Sequence, residues 1–210
     1  MADPGFTSST GYTAPPDFAA LRVKAIQSLL VDKGIVLQES MDEIADIYEN
    51  QVGPHLGAGV VARSWTDPGF RARLLEDGTA ALHEVGLSGF EGSHVVFVEN
   101  TPTVHNVITC TLCSCYPWVV LGLPPSWYKA APYRARVAYE PRKVLEEFGT
   151  SIPDDVEVRV WDSTAEIRYV VIPQRPSGTD GWDVDRLTEL VVRDSMLGTR
   201  VLAPVEGALA

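Results

Sequence analysis

Three cysteines, Cys110, Cys113 and Cys115, lie within six residues, and the sequence contains no others. A disulfide framework uses an even number of cysteines spread along the chain, so this clustering excludes one. The 210-residue chain must therefore fold around an apolar core, for which its 45% content of hydrophobic residues is ordinary. The cysteine cluster is the feature most informative about function.

The charge balance restricts the classes of partner. The chain has 17 Lys and Arg against 28 Asp and Glu, a net charge of −11, so we expect neither a nucleic-acid nor an anionic-membrane surface. No run approaches the roughly 18 apolar residues of a membrane helix. The first ten residues, MADPGFTSST, lack the basic and apolar regions of a secretory signal. These features predict a cytoplasmic protein.

The first 90 residues have mainly helical patterns. Asp17 is the expected N-cap of a first helix that ends near Gly34. Ser40 followed by Glu43 three residues later has the spacing of a capping box and predicts a second helix. Asp67, which precedes a proline, predicts a further helix start. These short helices have few long apolar faces of their own, which favours an arm that needs a partner.

Beyond residue 90 the pattern predicts strands as well as helices. Strands are expected at residues 94–99, 104–108, 156–161 and 167–172, with a helix at 140–148. We therefore predict an α+β fold in three parts. These are a flexible N-terminal segment (1–19), an extended helical arm (20–90) and a compact, layered α/β domain (91–210) that carries the cysteine-rich metal loop.

The spacing of the cysteines allows several ligand sets. Structural zinc, with His105 as a fourth ligand, would be tetrahedral, but cysteines as close as Cys113 and Cys115 rarely reach tetrahedral angles. Alternatively, their sulfurs and the backbone nitrogens of Ser114 and Cys115 form a square N2S2 set, with the Cys110 thiolate axial and a sixth position open. Such anionic donors favour trivalent iron or cobalt. A redox-sensing thiol cluster is the third alternative.

The sequence around the cysteines resembles the alpha subunit of nitrile hydratase. The blocks that carry the resemblance are CTLCSC (110–115), YPW (116–118), LGLPPSWYK (121–129), YEN (48–50), GPHLG (53–57), WTDP (65–68), VWDS (160–163) and PQRPSGTDGW (173–182). It extends from about residue 20 to residue 200. Thr111 and Tyr116 stand where cobalt forms of the family carry these residue types, whereas iron forms tend to have Ser and Thr.

The resemblance implies an enzyme that hydrates small nitriles to amides at a low-spin, non-corrin Co(III) centre, with Fe(III) as the alternative. The metal ligands would be Cys110, Cys113, Ser114 and Cys115, with Cys113 oxidised to a sulfinate and Cys115 to a sulfenate. The nucleophile would be either a metal-activated water or the Cys115 sulfenate oxygen. The resemblance also implies a beta subunit that the arm embraces, in a heterodimer that pairs into a heterotetramer, and a metal-insertion activator protein.

Other residues receive roles from the same resemblance. Trp118 would line the nitrile pocket, and Tyr116 would either place its hydroxyl near the metal or pack in the core. Asp162 and Glu166 match carboxylates of the outer shell of the site. Glu91 stands where the family usually has Gln, and its carboxylate either alters the pH profile of hydration or points to solvent without effect.

One residue of this chain departs from the nitrile hydratase pattern, and another distinguishes the chain from a related family. Val119 follows Trp118 where the family usually has proline, which predicts a looser turn and a different pocket shape. The related gamma subunit of thiocyanate hydrolase has a similar loop but tends to carry Arg at the position of Trp118. That subunit and a structural zinc-binding or interaction protein are the alternatives to a nitrile hydratase alpha subunit.

Overall fold

The computed structural model describes residues 17–47, 52–89, 93–113 and 115–205. Within these ranges the chain forms eleven helices and four strands. In chain order they are α1 (Asp17–Asp32), α2 (Gln38–Asp46), α3 (Pro54–Thr66), α4 (Pro68–Glu76), α5 (Gly78–Glu84), β1 (His94–Glu99), β2 (Val104–Thr109), α6 (Trp118–Leu121), α7 (Ser126–Lys129), α8 (Ala131–Val137), α9 (Pro141–Glu147), β3 (Glu157–Asp162), β4 (Ile167–Ile172), α10 (Val184–Thr188) and α11 (Arg193–Met196). The predicted α+β class is confirmed. Most of the predicted flexible segment (1–19) lies outside the described residues.

All four predicted strands are present, and they associate as two parallel pairs. β1 pairs with β4, from His94 opposite Ile167 to Glu99 opposite Ile172. β2 pairs with β3, and Thr109 lies opposite Asp162 at the end of that ladder. Because parallel strands run in the same direction, the carboxyl ends of β2 and β3 lie at one edge. The cysteine loop begins at this edge, directly after Thr109.

Several helix boundaries follow from local sequence, and one prediction was wrong. The Asp67 carboxylate accepts a hydrogen bond from the backbone N–H of Phe70 at 2.9 Å and caps α4 as predicted. Gly34 has a φ of +65°, which suits the end of the first helical segment. The predicted capping box at Ser40 does not form, because α2 already begins at Gln38 without a side-chain cap. Ser40 is therefore inside the helix instead of before it.

The core is formed by the strands together with the helices that pack against them. Residues of α3, α4 and α5 belong to this core together with β1, β2, β4 and the segment after the cysteine loop. The largest buried apolar side chains of the three helices are Val60, Val61, Phe70, Leu74 and Leu82. The segment predicted as an arm (20–90) thus contains a second half, from residue 54 onward, that packs in the body of the protein.

The first half of that segment is different. In α2 no residue is buried, and α1 presents Phe18, Leu21, Val23, Ile26 and Leu29 to solvent. We call residues 17–47 the exposed arm. Its apolar side chains have no place in the core of this chain, so the exposed arm is the part of the described structure suited to a partner protein. No helix among the described residues has the length and apolar character needed to cross a membrane.

Gly198 occupies a position that only glycine tolerates. Its φ is +81°, and a Cβ there would lie 1.9 Å from the carbonyl oxygen of Asn106. We expect Gly198→Ala to lower the free energy of unfolding by about 4 kcal/mol or more. Gly149→Ala is the matched control, since Gly149 has a φ of +77° but open space around it, and should cost about 1–2 kcal/mol. Chemical denaturation measures both, and equal losses would contradict the steric argument.

Candidate metal centre

The three cysteines form one compact cluster of sulfurs. The Sγ atoms of Cys110 and Cys113 lie 3.3 Å apart, and those of Cys113 and Cys115 lie 3.0 Å apart. All three are within 4.8 Å of one another, and the cysteines are free. Among the described residues this is the one group of metal-ligating side chains with such a convergence. The cluster could hold one metal ion through three sulfurs.

The thiols of the cluster differ in their access to solvent. Cys110 is buried at the base of the loop, Cys115 is half-buried and Cys113 is exposed. Burial is the main cause, and the neighbouring sulfurs of Cys113 and Cys110 are further causes, of a rise in the pKa of Cys115 to about 12. Ionisation of the Cys115 thiol is therefore unfavourable unless a cation accompanies it.

The carboxylate at the end of β3 fixes the start of the loop. Asp162 accepts a hydrogen bond from the backbone N–H of Thr111 at 2.8 Å and a second, short one from the Thr111 hydroxyl. This contact follows from the parallel pairing, because Thr109 and Asp162 are opposite residues at the carboxyl ends of β2 and β3. Both of these hydrogen bonds join Asp162 to Thr111, and neither involves a cysteine sulfur.

A buried cluster of aromatic side chains supports the other end of the loop. The hydroxyl of Tyr128, in α7, donates a hydrogen bond to the carbonyl oxygen of Cys115 at 2.9 Å. Burial raises the pKa of Tyr128, so the phenol stays protonated as a donor. The ring of Tyr128 packs against those of Tyr116, Trp127 and Tyr133 with centroids 5.1 to 6.1 Å apart. This packing fixes the direction of the hydroxyl.

A third element, α8, contacts the middle of the loop. Arg134 donates from Nη1 to the carbonyl oxygen of Cys113 at 2.7 Å. The same side chain lines an open cleft of about 570 Å³ beside the loop, together with Thr111, Tyr139 and Asp162. The cysteine loop is thus held by side chains from the end of β3, from α7 and from α8.

The other predicted site residues differ in their burial and in their hydrogen-bond partners. Tyr116 is buried, and its hydroxyl donates to the carbonyl oxygen of Leu121 at 3.4 Å, so it packs in the core below the loop. Trp118 is the first residue of α6 and is 41% exposed. The carboxylate of Glu166 accepts a hydrogen bond from the Thr164 hydroxyl at 3.0 Å. Ser114 and Glu91 lie outside the described residues.

His105 is occupied elsewhere and does not complete a tetrahedral site. Its Nε2 lies 2.7 Å from the carbonyl oxygen of Gly198, and its Nδ1 lies 3.3 Å from the side-chain nitrogen of Asn100. Burial lowers the pKa of His105, so the neutral ring is favoured. In the described part of the chain the sulfur cluster therefore has no histidine partner, as the grouping of three cysteines alone also indicates.

Comparison with known proteins identifies the family of this chain. The sequence model of the family described as "Nitrile hydratase, alpha chain" matches residues 17–200. The chain belongs to this family. It is 57% identical over 178 residues to the cobalt-containing nitrile hydratase subunit alpha of Pseudonocardia thermophila, across 84% of this chain and 87% of that protein.

Structural similarity extends over nearly the whole chain. A solved double mutant of the Fe-type nitrile hydratase from Comamonas testosteroni Ni1 superposes with a TM-score of 0.85 at 38% identity, across 93% of this chain and 97% of that one. The gamma subunit of thiocyanate hydrolase from Thiobacillus thioparus is 39% identical over 199 residues, across 90% of this chain and 81% of that protein. This chain is thus markedly more similar in sequence to the cobalt-containing nitrile hydratase subunit than to the thiocyanate hydrolase subunit.

Two residues that contact the cysteine loop were not identified from the sequence. Arg134 contacts Cys113 and Tyr128 contacts Cys115, although they lie 21 and 13 positions further along the chain than these cysteines. No local pattern distinguishes Arg134 from its neighbour Arg136, which pairs with glutamates instead. An arginine on a short helix is usually a solvated surface residue, so only the folded position reveals the contact.

The contact between Asp162 and Thr111 gives a prediction for the nitrile hydratase family loop. Asp162→Ala removes both hydrogen bonds to Thr111, so the loop should retain metal about 10- to 100-fold more weakly. Asp154→Ala, which removes an exposed acid away from the loop, is the control and should leave metal retention unchanged. Release of metal to a chelator measures the effect. Similar release rates for the two variants would show that Asp162 does not support the loop.

Proposed function

We propose that this chain is the alpha subunit of an enzyme that hydrates nitriles to amides at a low-spin, non-corrin Co(III) centre. The donors are the sulfurs of Cys110, Cys113 and Cys115 and the backbone nitrogens of Ser114 and Cys115. One observation carries the proposal: three Sγ atoms converge within 4.8 Å after β2 in a chain of the nitrile hydratase alpha-chain family. Cobalt is favoured over iron because the cobalt relative is 57% identical and the Fe-type structure 38%.

The chemistry of the cluster suits a trivalent cation. Three sulfurs lie 3.0 to 3.3 Å from their neighbours without a disulfide, and burial together with the neighbouring sulfurs raises the pKa of Cys115 to about 12, although the charge of Arg168 acts in the opposite direction. A coordinated metal reverses this preference, since it stabilises the thiolate. Thiolate and anionic nitrogen donors select transition metals over calcium or magnesium. The close sulfurs are therefore better explained as ligands of one cobalt ion than as three independent thiols.

We further propose that Cys113 carries a sulfinate and Cys115 a sulfenate, while Cys110 stays a thiolate. The support is accessibility: Cys113 is exposed and Cys115 half-buried, whereas Cys110 is buried beneath them. Oxidation of a cysteine needs contact with the oxidant, so the two outer sulfurs are the ones expected to react. Sulfinate formation is normally irreversible, which makes the modified loop a permanent part of the enzyme.

Several residues of the chain would then have separate roles in the hydration reaction. A cobalt ion held by Cys110, Cys113 and Cys115 would supply Lewis acidity toward the nitrile. The sulfenate oxygen of Cys115 would either form the bond to the nitrile carbon, with water then restoring the sulfenate, or hold a water molecule that adds across the triple bond. The hydrogen bond from Tyr128 to the Cys115 carbonyl keeps that sulfur in place, which lowers the entropy lost in bringing the two reactants together. Trp118, which is 41% exposed beside the loop, offers an apolar face for the substrate's hydrocarbon part.

The proposed enzyme needs partners. The exposed arm suits burial against a beta subunit, in a heterodimer that pairs into a heterotetramer. Arginines of that subunit are expected to bind the oxidised sulfurs, whose negative oxygens require cations when water is excluded. Because Cys110 is buried, we propose that an activator protein delivers the metal. The three cysteines form no disulfide, which is typical of a reducing compartment, so we place the enzyme in the cytoplasm.

The test combines composition with activity. The chain is purified together with its beta subunit, and the metal content, intact mass and turnover of a small nitrile are measured. We expect one cobalt per pair of subunits, mass increases that correspond to a sulfinate and a sulfenate, and formation of the amide. Stoichiometric zinc with unmodified cysteines would instead favour a structural zinc protein. Hydrolysis of thiocyanate without hydration of nitriles would favour the thiocyanate hydrolase alternative.

A further inference from the structure

Arg134 contacts the cysteine loop at a peptide group that matters for metal binding. Its Nη1 donates to the carbonyl oxygen of Cys113 at 2.7 Å. That oxygen belongs to the peptide unit whose nitrogen is the amide of Ser114, one of the two backbone donors proposed above. A peptide unit is planar and its carbonyl is coupled by resonance to its nitrogen. A group that fixes the Cys113 oxygen therefore also restricts the orientation of the Ser114 nitrogen.

The charge of Arg134 is available to this peptide group. Within the described residues no carboxylate forms an ion pair with Arg134, and its Nε is buried without a hydrogen-bond partner. The acid closest along the same cleft is Asp162, whose carboxylate accepts from Thr111. An anionic nitrogen donor shares its negative charge with the carbonyl oxygen of the same peptide. A guanidinium 2.7 Å from that oxygen offsets this charge more effectively than a neutral donor does.

The nearby Arg136 differs, although it lies on the same short helix. Its guanidinium is bound by the carboxylates of Glu140 and Glu147 at 2.6 Å each, which connects α8 to α9. Arg136 therefore stabilises the helices, whereas Arg134 is directed to the loop. The two residues form a matched pair in which one guanidinium contacts the loop and the other does not.

We propose that Arg134 is a positioning residue of the metal centre, which holds the Cys113–Ser114 peptide in the orientation required for nitrogen ligation and offsets its negative charge. This inference rests on the proposed function, since the backbone nitrogen donor is part of it. The structure extends that proposal by assigning a cation of this chain to the loop, in addition to the arginines expected from the beta subunit. Arg134 has no contact with substrate in this role and acts through the loop backbone.

The test compares Arg134→Gln, Arg134→Lys and Arg136→Gln in the complex with the beta subunit. In the cobalt-loaded complexes we measure the rate of cobalt transfer to a chelator and the sulfur-to-metal charge-transfer absorption. Arg134→Gln should release cobalt about 10- to 100-fold faster than the wild type, with a shifted absorption band. Arg134→Lys should be intermediate, because lysine keeps the charge but lacks the planar donor group. Arg136→Gln should lower thermal stability but leave both cobalt readouts unchanged.

A second readout needs no metal. In complexes produced without cobalt, hydrogen exchange of the peptide spanning residues 110–117 should be faster in Arg134→Gln than in the wild type and in Arg136→Gln. Wild-type exchange and cobalt release in Arg134→Gln would overturn the proposal, as would equal effects of Arg134→Gln and Arg136→Gln. A wild-type complex that contains no cobalt would overturn the proposed function instead. The exchange comparison in the metal-free complexes would still decide whether Arg134 positions the loop.

Discussion

Replacing either Cys113 or Cys115 with alanine is expected to abolish cobalt retention and nitrile hydration together. Each substitution removes one sulfur from a cluster in which neighbouring sulfurs lie 3.0 to 3.3 Å apart. The donors on either side belong to the same short loop, so the loss of one sulfur opens the chelate rings that it shares with the backbone nitrogens. We expect cobalt content below about a tenth of the wild-type value, and activity in proportion, since such ligand sets act as a unit.

The control for this experiment is Leu112→Ala. Leu112 lies in the same loop but is 89% exposed and offers no donor atom, so its loss should leave cobalt content and hydration close to wild type. Metal content of the purified complexes and the rate of amide formation give the two readouts. Full activity in either cysteine variant would refute the proposed ligand set. Retained cobalt without activity would show that the missing sulfur acts in the reaction and is dispensable for binding.

The strands were predictable because their signals are local. Alternation and β-branched residues placed β1 and β4 at the observed bounds, His94–Glu99 and Ile167–Ile172. Which strands pair, and in which direction, is not a local property. The parallel register that sets Thr109 opposite Asp162 depends on how the long crossover between β2 and β3 packs. The sequence therefore predicted the elements of the sheet but not the edge at which the site is built.

The same distinction applies to the site. The cysteine spacing identified the metal loop because all of its proposed ligands lie within six residues. The side chains that hold the loop come from separate elements, and Arg134 and Tyr128 reach it only after α7 and α8 have packed on the core. The capping box predicted at Ser40 failed for a related reason. Its residue types are compatible with a cap, but the helix begins earlier at Gln38, and capping signals do not fix a helix boundary to the residue.

The exposed arm gives the second large expected effect, in the assembly of the enzyme. Eight of the fourteen large exposed hydrophobic side chains among the described residues lie between positions 18 and 44, although this stretch is a small part of the chain. We expect the chain to aggregate or oligomerise when it is produced alone, because this apolar surface is then left in water. Light scattering of the chain with and without the beta subunit measures this, and a stable monomer would contradict the expectation.

A substitution in α1 makes the same argument quantitative. In the triple variant Leu21→Gln, Ile26→Gln and Leu29→Gln, glutamine keeps the helix propensity high while it removes apolar area that is more than half exposed in this chain. Each buried side chain of this size contributes about 1 kcal/mol or more to an interface, so affinity for the beta subunit should fall about 100-fold or more. The double variant Leu75→Gln and Val201→Gln, at exposed positions outside the arm, is the control and should bind normally. If the triple variant and the control bind the beta subunit equally well, the exposed arm is not the interface, and its apolar side chains must be covered by another partner.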